Sequence, residues 1–288
     1  MVLGDLESHD RFCRFIAKMR KMTVVAVHYR RAPEHPYPAA IEDAITAWNS
    51  VVEQWQEQGG SLQHLGIGGD GSGATLATVV CQKSAQPQAQ EVDVVLPVLK
   101  PVWQWLICPE TDSTDGSSES WITNSQDLFL TSQLVKRCRN HYLPDVDQRN
   151  RPDVSPLHAP AELLAQLPAT VVITAGFDPL RDQGLNYVRK LKLAGVPVAS
   201  HHEPTMPHGY IHLGGCSDKA LVALDKAVSM IDTIALQARR TMPVETPGFV
   251  PRFQGPPVNL QVQKLPKQKQ AGSDAEVAQE PGTSNNPV

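Results

Sequence analysis

The chain lacks several features that would have pointed to a specific class. No run approaches the roughly 18 consecutive apolar residues of a membrane span, and no charge of one sign dominates. The formal net charge of −4 gives no electrostatic reason to expect nucleic acid or an anionic membrane as partner. The five cysteines, Cys13, Cys81, Cys108, Cys138 and Cys216, are odd in number and form no CxxC pair. They suit free thiols in a reducing compartment, not a disulfide framework or a zinc site. The opening residues MVLGDLESHDRFCR turn charged within five positions, unlike a secretory leader, so the expected location is cytoplasmic.

What is present is enough for one sizeable core: 288 residues, 41% of them apolar. From about residue 5 to 240, helix and strand signals alternate, as in an α/β layer fold. Phe12, Phe15, Ile16 and Met19 predict an amphipathic helix over 5–21. Ile41, Ile45, Trp48, Val52 and Trp55 mark a second helix. Leu221, Leu224, Val228, Ile231 and Ala235 form the apolar stripe of a closing one. Strands are predicted at 22–27 (MTVVAV), 64–69, 102–108, 169–176 and 196–202.

Residues 241–288 hold eight of the chain's 24 prolines and only two aromatics. Such a segment buries too little apolar area to offset its ordering entropy, and a disordered tail is predicted there after a single domain over 1–240.

The most informative stretch is GIGGDGSGATLA, Gly66 to Ala77, a glycine-rich turn between strand and helix. Three readings are open. Gly66, Gly68 and Gly71 match GxGxxG, which would cradle a dinucleotide pyrophosphate and make the protein an oxidoreductase. Asp93, the nearest acidic partner for that motif, would start the next apolar run instead of ending it. The second reading is a nucleophile elbow, small-x-nucleophile-x-small, with Gly69 and Gly73 as the small residues and Gly71 at the nucleophile position. In the third, the glycines only let strand and helix pack closely.

Five segments together resemble the hormone-sensitive-lipase-like branch of the α/β-hydrolases. GGDGSGATLA resembles that branch's GGDSAGGNLA elbow, and HYRRAPEHPYPAAIEDA (28–44) resembles its DYRLAPEHPFPAALEDA. SPLHA (155–159), TAGFDPLRDQG (174–184) and MPHGY (206–210) are similar to its SPLLA segment, acid-bearing loop and histidine loop, while 4–14 looks like the helix after its oxyanion loop. The resemblance covers about residues 3–238 and implies an α/β-hydrolase fold, a mostly parallel sheet with helices on both faces.

It also implies hydrolysis of carboxylic esters without a metal or cofactor, with Asp178 as triad acid and His208 as base. A small hydrophobic ester or acid is the implied ligand. Two departures qualify this. Gly71 stands where the nucleophilic serine belongs, and Ser72 falls where a backbone N–H helps hold the oxyanion; its side chain is expected to point away from His208. The family's HGGG oxyanion loop, its leading strand and its cap have no counterpart, so an N-terminally incomplete member is expected. Together these predict absent or much reduced hydrolysis, with a non-catalytic binding protein as the alternative. His201, His202 and His212 lack clustered carboxylates, and no metal site is expected from them.

Overall fold

The computed structural model describes residues 1–86, 99–126 and 129–241, with side chains to Ala238. The expected tail over 241–288 therefore falls almost wholly outside the described residues, as does Asp93. Among the described residues, four parallel strands form the sheet: β1 (Gly66–Asp70), β2 (Trp103–Ile107), β3 (Ala169–Phe177) and β4 (Val198–Pro207), in the order β1-β2-β3-β4. The helices are α1 (Leu6–Arg20), α2 (Ala39–Glu57), α3 (Ser72–Ala85), α4 (Glu119–Thr123), α5 (Ser132–Tyr142), α6 (Ala161–Leu164), α7 (Arg181–Leu193) and α8 (Asp218–Thr241).

Alternation along the central strands assigns the two faces. Trp103, Trp105 and Ile107 of β2, with Ala169, Val171, Ile173 and Ala175 of β3, pack against α1 and α8. Leu106 and Val172, on the opposite pleat, pack against α3 and α7. A strand covered on both sides reads as a continuous apolar run, which is why WQWLI and ATVVITA show no polar alternation. One polar pair falls inside: the amide nitrogen of buried Gln104 donates to Thr170 Oγ1 at 2.9 Å. Residue α2 positions Ile41, Ile45, Trp48 and Val52 form a third cluster with Leu76, Val79 and Val80 of α3.

Two expectations need correction. Residues 22–27 are not a strand, although β-branched; the segment pairs with no strand among the described residues, and Val25 and Val27 are about 40% exposed. A strand needs a ladder partner for its N–H and C=O groups, and the described sheet ends at β1 with 22–27 unpaired. The stripe of α8 holds at Leu224, Val228 and Ile231, with Ala235 packed against the same core, but Leu221 is exposed and Ala220, Ala227, Ile234 and Ala238 join the buried face. Small alanines carry this face because they let the helix lie close to the two tryptophans of β2. Trp105 Nε1 donates to the Ala227 carbonyl at 3.1 Å.

Candidate active site

Each of the four described strands delivers a chemistry-bearing residue at its C-terminal end. β1 ends in Asp70 and leads into Gly71, β2 into Cys108, β3 into Asp178 and β4 into His208. In open α/β sheets this edge is where ligands bind.

At the end of β1 the chain reverses into α3 through Gly71, with φ 49° and ψ −115°. A positive φ of this kind is strained for a residue with a Cβ and open to glycine. The turn is fixed by the Gly71 N–H, which donates to the Ile107 carbonyl at 2.9 Å. It is also tight. A Cβ on Gly69 would lie 2.3 Å from the Gly73 carbonyl carbon, so position 69 admits no side chain without moving backbone.

Asp178 is buried at the end of β3. One oxygen accepts from the Leu180 N–H at 2.8 Å, and the other faces His208 Nδ1 at 2.9 Å. Asn124 spans the loop from outside, donating to the Gly176 and Asp178 carbonyls at 3.0 and 3.1 Å. Cys108, with φ 45°, adds a thiol against the same carboxylate. Burial first, and then the Asp178 charge, push that thiol well above its ordinary value, so it remains neutral. His208 itself follows β4, its N–H donating to the Phe177 carbonyl at 3.2 Å. Burial works against its charged form, but the Asp178 carboxylate, aided by Asp70 and Glu110, outweighs this and raises the imidazole pKa.

With Nδ1 on Asp178, Nε2 is the free face of the ring. It points at Gly71: a Cβ on that glycine would lie 3.3 Å from His208 Nε2 and 3.5 Å from Cε1. Ser72 is elsewhere; its Oγ accepts a short hydrogen bond from the Met1 amino group. The structure thus gathers Asp178, His208 and Gly71 and leaves the Ser72 hydroxyl outside the group. His201, His202 and His212 do not gather. His201 pairs with Glu203, His202 Nδ1 meets Thr174 Oγ1 at 3.0 Å, and His212 lies against His9.

Sequence reading missed Cys108, Asn124 and a support beneath the elbow. There Thr75 Oγ1 donates to the Glu110 carbonyl at 2.6 Å, and Arg139 Nε donates to the Glu110 carboxylate at 2.6 Å. Lone polar residues carry no periodicity or spacing, so only the proximity made by the fold reveals them.

Known proteins share this fold. A family model for the alpha/beta hydrolase fold matches residues 1–212. Esterase LipI of Mycobacterium tuberculosis is 37% identical over 229 residues, covering 79% of this chain and 68% of that protein. Carboxylic ester hydrolase LipN of the same organism is 36% identical, covering 73% of this chain but 54% of its own length. An ethyl acetate hydrolase of Pseudomonas putida is 32% identical, covering 76% and 65% respectively. The chain therefore spans only about half to two thirds of these relatives. Among solved structures, a thermostable esterase from Pseudomonas putida superposes with a TM-score of 0.71 at 32% identity, over 81% of this chain and 70% of that one. No helix among the described residues is long and apolar enough to cross a membrane. Matched along most of its length in sequence and in fold, this chain belongs to the alpha/beta hydrolase fold family, in its hormone-sensitive-lipase-like carboxylesterase branch.

Proposed function

We propose that the chain keeps the acid and base of an esterase triad, Asp178 and His208, around a nucleophile position occupied by Gly71, so that ester hydrolysis is absent or far below that of its relatives. The observation that carries this reading is the 3.3 Å approach of His208 Nε2 to the Cβ position of Gly71. A hydroxyl on that carbon would sit where the imidazole could take its proton while Asp178 held the tautomer and stabilised the resulting imidazolium. Glycine offers a hydrogen atom there. Loss of a nucleophile costs on the order of 10⁶ in kcat.

The names of the relatives, an ethyl acetate hydrolase among them, favour carboxylic esters of short acyl chains as the substrates this scaffold was shaped for. Relocated catalysis through Ser72 is disfavoured because the Cβ position that faces His208 Nε2 belongs to Gly71. A dinucleotide on the GxGxxG match is disfavoured as well. Such cofactors bind where the strand order reverses, and the described order runs β1-β2-β3-β4 without reversal.

The test is a p-nitrophenyl acetate and butyrate assay on the wild type, Ser72→Ala, Gly71→Ser and Gly71→Ser with His208→Ala. Expected are near-background rates in the first two, a rise of orders of magnitude in the third, and its loss in the fourth. A substantial wild-type rate that falls in Ser72→Ala would overturn the proposal. Gly71→Ser should also melt lower. A side chain at φ 49° stores about 1–3 kcal/mol, and the new Cβ presses His208 back by a few tenths of an ångström.

A further inference from the structure

Beside the elbow lies a second cluster of ionisable groups, of which only Asp70 bears on the charge of His208. His9 comes from α1, Asp70 from the end of β1, and His212 from the short turn Tyr210–His212 that follows the base. One ligating atom from each lies within 4.8 Å of the others. We propose that His9, Asp70 and His212 form a binding site for one divalent transition-metal ion of the zinc and cobalt class, with its remaining coordination positions open to water.

Three observations support the assignment. The first is donor chemistry: two imidazoles and one carboxylate are a set that zinc, cobalt, nickel and ferrous iron all accept. The second is geometry. Metal–ligand bonds of about 2.0–2.2 Å place neighbouring donors of a tetrahedral site roughly 3.3 Å apart, and His9 Nε2 already stands 3.1 Å from Asp70 Oδ1. The His212 ring meets His9 edge-on, at 84° and 4.9 Å between centroids. As the exposed member of the trio, it has room to swing the remaining distance.

The third is the proton inventory of His9. Its Nδ1 is 2.9 Å from Ser8 Oγ and 3.2 Å from the Asp5 carbonyl. The Ser8 hydroxyl spends its own proton on that Asp5 carbonyl at 2.9 Å, so Nδ1 must be the donor. Nε2 is then left with a lone pair aimed at a carboxylate oxygen. Two acceptors at 3.1 Å require a positive species between or on them, either an extra proton or a metal ion. A hydrogen bond from the far ring nitrogen to a neighbouring oxygen is also the usual way a ligating histidine is oriented. The side chains of His9 and Asp70 are 26% and 22% exposed, so an ion can enter from solvent.

The full-length chain, stripped with chelator, is titrated with Co²⁺ and followed by its visible d–d absorption, then with Zn²⁺ in competition. One equivalent is expected to bind. His9→Gln, Asp70→Asn and His212→Ala should each weaken it at least tenfold, while Cys216→Ser leaves it unchanged. His212→Ala removes an exposed side chain, and an unchanged melting temperature in chelator confirms that it folds. Wild-type protein without saturable binding would overturn the proposal. So would undiminished affinity in folded His212→Ala, or a near-ultraviolet thiolate-to-cobalt band marking Cys108 or Cys216 as the ligand.

Discussion

The acid and base at this site hold each other in opposite electrostatic roles. Asp178 accepts two bonds, from the Leu180 N–H and the His208 ring, and is 1% exposed. It has no water to fall back on, and His208 is correspondingly held in its protonated form to a higher pH than a free imidazole. The sign of the linkage follows. A folded-state pKa raised above the unfolded value of about 6.5 means that the protonated pair stabilises the fold fully below that pH. The contribution is lost as pH rises through the raised value. Asp178→Asn should therefore lower the His208 pKa, read from its ring proton shifts by NMR, and flatten the decline of the melting temperature above pH 6.5. An unchanged titration would mean that Asp178 does not set the imidazole charge. At the elbow, Gly69→Ala drives a Cβ into the Gly73 backbone and should destabilise by about 1–3 kcal/mol or more in urea denaturation. Gly73→Ala meets open space and should cost much less.

At the scale of elements, burial separates segments that look alike in sequence. MTVVAV and TVVITA are both β-branched runs, yet the first is unpaired with Val25 and Val27 half-exposed, while in the second Val171, Val172 and Ile173 are completely buried. Ile173→Ala should cost about 2–5 kcal/mol, and Val27→Ala should stay within about 0.5 kcal/mol. Equal losses in equilibrium denaturation would mean that 22–27 docks as a true strand. The same contrast explains what was legible in the sequence. The four paired strands and the helices at 6–20, 39–57 and 218–241 declare themselves through apolar runs and i, i+3, i+4 spacing. Whether such a run finds a ladder partner is decided by the rest of the fold, so 22–27 could not be excluded locally. The alanine part of the buried α8 face was hidden for a related reason. Alanine carries little hydrophobic signal, yet the bulk of Trp103 and Trp105 selects it over Leu221. The elbow, Asp178 and His208 were legible through motif order; the Cys108, Asn124 and His9 contacts required proximity across 52 to 70 residues that no pattern encodes.

For the molecule as a whole, the sheet supplies positions and the loops beyond its C-terminal edge supply rigidity. The main clamp there is Arg139 of α5, whose side chain is only 6% exposed. It pairs with Glu110, donates to the Asp112 carbonyl at 2.9 Å, and lies 4.6 Å over the Trp121 ring. Glu110 in turn follows Cys108 by two residues, and its carbonyl receives the Thr75 hydroxyl beneath the elbow. One cation therefore ties α5, the loop after β2 and the first turn of α3 into a single body around the site. Removing one member of a buried pair leaves the other charged without a partner, at a cost of about 3–5 kcal/mol. Arg139→Ala should lose that much in denaturant unfolding, whereas Arg139→Ala combined with Glu110→Gln should recover part of it, because the second change removes the stranded carboxylate. If the double variant is no more stable than Arg139→Ala alone, the clamp works through its carbonyl and ring contacts instead of its charge. The site would then owe its rigidity to the packing of the loop beyond β2.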